Sequence, residues 1–149
     1  MASHRSLLML LLLAGCVGRQ MASSFTAASP APAPDVFACA RGQLKAVQFD
    51  QTSYDLTDYR LTARKYDETV RRPDVTWRRL VDRLEVTVAP GAGADSVSVL
   101  SVVARTFGET VNQRGPTETQ EATSETARSA AQRIVDKCRA PVDSASVPG

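Results

Sequence analysis

Few side chains in this sequence have types and spacing that suggest chemistry. The densest candidate is "RRPDVTWRR", residues 71–79, where Arg71, Arg72, Arg78 and Arg79 surround Trp77. Guanidinium forks match phosphate and carboxylate geometry, and tryptophan favours interfaces. Such a segment could hold an anionic lipid headgroup or an acidic patch on a partner protein. The bland alternative is a solvated connection between strands, with Trp77 packed on the sheet edge. A second group is Tyr54, Tyr59 and Tyr66 among Asp50, Asp55, Asp58 and Asp67. Its spacing fits neither a calcium loop nor a fixed carboxylate pair, so strand-end tyrosines and turn aspartates account for it. Gly91 and Gly93 lie in "APGAGADS", which lacks the lysine and following helix of a phosphate loop and reads as a hairpin turn.

The remaining reactive groups are three cysteines, Cys16, Cys39 and Cys138, and one histidine, His4. Cys16 ends the step Leu13-Ala14-Gly15-Cys16, which follows an unbroken apolar run from Leu7 and a short basic start at His4 and Arg5. The run is too short for a spanning helix, which needs about 20 apolar residues, and has secretory length. The Leu-small-small-Cys step resembles the lipobox of bacterial lipoprotein precursors. That resemblance implies cleavage before Cys16 and acyl chains on its sulfur and new amine. It implies a product tethered to a membrane without crossing it, since each buried acyl methylene adds about 0.8 kcal/mol. Val17, where aspartate commonly retains lipoproteins at the inner membrane, favours an outer-membrane address facing the periplasm.

Cleavage there removes residues 1–15 and His4 with them. A histidine-free product has no Ser-His-Asp or Cys-His catalysis, no His-ligated zinc and no histidine acid–base group. No cofactor or metal is expected. The formal charge of +2 falls by one with Arg5, so nothing global points to nucleic acid. Cys39 and Cys138, placed in an oxidising compartment, are expected to form a disulfide joining the two ends of the domain. Two free buried thiols or a redox pair are the alternatives; the C-x-x-C spacing of a redox pair is absent.

Behind these residues stands a simple plan. Residues 1–15 are read as the signal peptide, 16–34 as an Ala/Ser/Pro-rich tether, 35–139 as the domain and 140–149 as a disordered tail. Asp35 is expected to cap a helix whose buried face carries Val36, Phe37, Ala40, Leu44 and Val47. Strands are expected around Tyr54–Leu56, Tyr59–Ala63, Leu84–Val88 and Val97–Phe107, the last two forming a hairpin. "NQRGPTETQ" reads as a loop. A final helix from about Thr117 to Arg139 would bury Ala127, Ala131, Ile134, Val135 and Cys138.

The order α-β-β-β-β-α predicts an α+β two-layer sandwich: a four-stranded antiparallel sheet with both helices on one face. That order resembles small lipoprotein subunits of outer-membrane assembly machines, at the level of element order only. The resulting expectation is a membrane-tethered, non-enzymatic binding or adaptor module. A carrier of lipid or amphiphile is the second reading and an envelope hydrolase the third. The partners expected are the membrane, through acylated Cys16, and an envelope protein or anionic lipid.

Overall fold

The computed structural model describes residues 20–69, 77–91 and 97–139. Residues 1–15, read above as a signal peptide, Cys16, Arg71, Arg72 and residues 140–149 lie outside them. The element order is β1 (Ser23–Ser29), α1 (Ala33–Ala46), β2 (Asp50–Asp55), β3 (Arg60–Asp67), β4 (Trp77–Ala89), β5 (Ser98–Asn112), β6 (Gly115–Glu121) and α2 (Glu125–Cys138).

The fold is α+β with an antiparallel sheet, as expected, but among the described residues the sheet has six strands and not four. Its order is β1-β5-β4-β3-β2, with β6 also on β5. Both added strands pair with the same edge of β5. β1 takes the first half, from Ser29↔Ser98 to Ser23↔Ala104, and β6 the second, from Glu121↔Thr106 to Asn112↔Gly115. A bond from Gln120 Nε2 to the Met21 carbonyl (2.7 Å) joins them where they meet. This departs from the assembly-subunit element order.

Ser23–Ser29 therefore corrects the tether reading. Its period of two is real: Phe25 and Ala27 pack toward the core while Ser24, Thr26 and Ala28 face water. Small residues disguise the pattern as low complexity. β6 corrects the loop reading and shortens the last helix, which starts at Glu125 and not near Thr117. In β6 only Gly115 and Glu121 are even half-buried, so no apolar alternation could announce it. Backbone pairing holds it, through a turn that needs Gly115 at φ +107°.

The two helices cover one face of the sheet. α1 begins two residues before Asp35, with Pro32 at the N-cap, and Asp35 is a first-turn acid favoured by the helix dipole. α1 ends in a Schellman motif: Gln48 takes φ +60°, its N–H donates to the Lys45 carbonyl, and the Phe49 N–H donates to the Leu44 carbonyl. Leu44 and Phe49, which accompany this turn, are both buried. The core is one cluster. Leu61, Leu84, Val86, Leu100, Val102 and Ile134 are each less than 2 % exposed. The expected helix faces hold, Val36, Phe37, Ala40, Leu44 and Val47 on one, Ala127, Ala131, Ile134, Val135 and Cys138 on the other. Cys39 and Cys138 form the disulfide, with Cα atoms 5.8 Å apart across a sequence separation of 99. It locks α1 against α2 above the sheet.

Candidate functional site

β4 and β5 run past the helices, and three features of this framework carry polar chemistry. The first sits under the N-terminus of α2. Asp82 on β4 is 5 % exposed and accepts from the Thr106 hydroxyl (2.6 Å) and the Ser124 hydroxyl (2.8 Å). Ser124 is also the N-cap: its Oγ accepts the Ala127 N–H, while its own N–H donates to Thr106 Oγ1. A buried carboxylate at the positive end of a helix is thus held by two hydroxyls and fixes α2 to the sheet. Every lone pair used is directed at protein, so this is a structural joint. Sequence reading missed it, although a lone aspartate at an inward position of an apolar strand was the available signal.

The second feature is the sheet face that bears no helix among the described residues. By register it presents Arg60, Thr62, Arg64 and Tyr66 from β3, Arg79, Val81, Arg83 and Glu85 from β4, and Arg105, Phe107 and Glu109 from β5. The guanidiniums are woven into it. Glu85 accepts from both Arg60 and Arg105, Glu109 pairs with Arg79, and Glu118 pairs with Arg83. Arg79 also lies 3.9 Å from the Tyr66 ring centroid and Arg83 4.5 Å from that of Phe107. The row Tyr66, Val81, Phe107 runs straight across three strands, and its middle member, Val81, is 1 % exposed. The hydrogen bond from Arg60 holds the Glu85 carboxyl below its usual range, against partial burial, with further help from Arg105.

This geometry separates the two described arginines of the arginine–tryptophan motif. Trp77 opens β4. Arg78 and Arg79, adjacent in sequence, point to opposite faces of the strand. Arg79 belongs to the open face; Arg78 turns to the helix side, is 8 % exposed and pairs with Glu121. Arg78 is therefore not part of a surface cluster. Its partner reaches it from β6 across β5 because position 108 is glycine: a Cβ there would collide with Glu121 Oε1 and stand 3.3 Å from Arg78 Nη2. The tyrosines and aspartates do not assemble into a site either. Tyr54 lies under Arg41, Tyr59 meets Phe37, and Asp55 and Asp67 accept bonds from the turns that follow them. The Thr69 hydroxyl and N–H hold the Asp67 carboxyl low. Among the described residues no group of three or more His, Cys, Asp or Glu side chains is placed to hold a metal.

The third feature is an open trough of about 700 Å³ between α1 and β2, floored by Phe37, Leu44, Phe49 and Tyr59. The helix wall presents Ala38, Arg41, Gly42 and Lys45, and the far lip is Leu56, 59 % exposed. Arg41 crosses the mouth, donating from Nε to Gln51 Oε1 (2.9 Å) and lying 4.6 Å from the Tyr54 ring centroid. β2 is the terminal strand among the described residues, and all its residues are exposed. No known family model matches this chain, and no curated protein matches it significantly.

Proposed function

We propose that this chain is a lipid-anchored, non-enzymatic binding or adaptor module of a bacterial cell envelope, held to the membrane through acylated Cys16. The lipobox-like step Leu13-Cys16 supports the anchor, and Val17 supports an outer-membrane address. The observation that carries the binding role is the filled interior. The layer between helices and sheet is packed with side chains less than 2 % exposed, including Leu84, Leu100, Val102 and Ile134. An amphiphile carried in the middle of that layer would have to displace them, and the open space beside α1 is a trough at the sheet's margin, so recognition falls to the outer surface, where the sheet face and the β2 edge stand uncovered by the described residues.

Two measurements test this together. Cys16→Ser should release the protein from membranes and abolish incorporation of radiolabelled palmitate; retention with the substitution refutes the anchor. Photo-crosslinking in cells from positions 77, 83 and 105 should give a discrete protein adduct. Lipid-only adducts at all three would refute the adaptor role and favour headgroup binding.

A further inference from the structure

We infer that the outer edge of β2, unpaired among the described residues, with the trough beside α1, is a docking site for an extended peptide segment of a partner protein, which joins the sheet as a further strand. The inference rests on the adaptor reading above and gives it a site. A terminal strand offers a row of backbone donors and acceptors, and strand addition uses them for affinity and the adjoining groove for side-chain selection. The helix wall has room for a backbone. Ala38 and Gly42 lie one turn apart on it, and a Cβ on Gly42 would meet nothing within 4 Å. Neither packing nor backbone geometry asks for that glycine, which costs the helix about 1 kcal/mol relative to alanine. Its effect is to keep the trough open. Tyr54 and Leu56, 50 % and 59 % exposed, supply apolar contact at the far side.

Charge defines the partner. Arg41 and Lys45, one turn apart on the helix wall, have no carboxylate partner among the described residues. They call for acidic or apolar side chains on the strand face turned to α1. Asp50 and Asp55 stand opposite Arg64 and Arg60 in the register, on the other face of the sheet. They call for basic side chains on the alternate positions. A second copy of this chain is a poor occupant: antiparallel self-pairing about the centre of β2 sets Asp50 against Asp55 of the other copy, and opposed like charges destabilise a ladder.

The test uses the full chain carrying Cys16→Ser, labelled with nitrogen-15. The probe is an acetylated, amidated heptapeptide with lysine at odd positions and leucine or glutamate at even ones. Saturable amide shifts are expected in Asp50–Asp55 and along Ala38–Lys45. N-methylating alternate amides should weaken binding about tenfold in one phase, the loss expected for one or two hydrogen bonds, and little in the other. Gly42→Phe should weaken it by a similar factor without lowering the melting temperature, since phenylalanine is the better helix residue. No saturable shift at millimolar peptide, equal binding by both N-methylated forms, or shifts centred on Arg64, Arg83 and Arg105 would overturn the inference. A discrete crosslinked protein alongside any of those results leaves the adaptor reading standing and removes only this site.

Discussion

Gly108→Ala should destabilise the protein through one identifiable collision. Arg78 on β4 and Glu121 on β6 pair across β5, over the position where Gly108 has no side chain. An added methyl must push Glu121 away. In a tight site such overpacking costs about 1–3 kcal/mol. The displaced carboxylate also leaves the Arg78 side chain, 6 % exposed, without its counter-charge. A fully buried broken pair would cost about 3–5 kcal/mol, but Glu121 is 36 % exposed and water can reach the gap, so the sum should stay near 2 kcal/mol. The assay is urea unfolding of Gly108→Ala, Glu121→Ala and the double variant. With Glu121 shortened, the collision is gone and alanine is the better strand residue by about 0.5–1 kcal/mol. Gly108→Ala should then be neutral or mildly stabilising, a coupling of about 2 kcal/mol between the sites. Equal cost in both backgrounds would refute the account and locate the role of Gly108 in the backbone itself.

Replacing Cys39 and Cys138 together by alanine releases a loop closed over 99 residues; the chain-entropy model gives about 4.7 kcal/mol as a ceiling and measured cases about 2–4, readable as a lower urea midpoint. A loss below about 1 kcal/mol would show that the unfolded chain is not restrained by the bond. Gln48→Gly removes a left-handed penalty of about 1–2 kcal/mol, adds about 0.5–1 kcal/mol of unfolded-state entropy and forgoes an exposed bond from Lys65, so a net gain near 0.5 kcal/mol is expected in thermal melts. Glu85→Gln tests the open-face network by pH. The folded carboxyl is held low by Arg60, so its stabilisation is complete above the unfolded value near about 4.3 and fades as pH falls through the lower folded value. The variant should be less stable than the parent at pH 7, with the gap narrowing as pH falls below the unfolded value; a gap that does not narrow in acid would assign the effect to packing.

Local pattern in this chain determined the elements that bury one clean face. The helix faces around Phe37 and Ile134 repeat at helical spacing. Leu84, Val86 and Val88 alternate, and the two cysteines near the domain's ends could meet only if both helices packed side by side. These readings needed only side-chain period and the sign of hydropathy. β1 and β6 escaped them because an edge strand pairs through its backbone: Phe25 and Ala27 give a weak alternation, and β6 gives almost none. Their existence was decided by the length of β5, which outruns both helices and offers one edge to two partners in turn.

The candidate sites divide in the same way. The Cys16 reading rests on a local motif alone and lies outside the described residues, whereas the run Arg78-Arg79 misleads. Strand alternation sends one guanidinium into a buried pair and the other onto the open face, which composition cannot show. Asp82, Thr106 and Ser124 come from three separate elements, as do the walls of the β2 trough, and only the folded register brings them within reach. The sequence by itself determined period, charge and the lipobox-like start. Tertiary structure decided edges, cross-strand pairs and the trough, because each depends on residues far apart in the chain whose proximity no local propensity encodes.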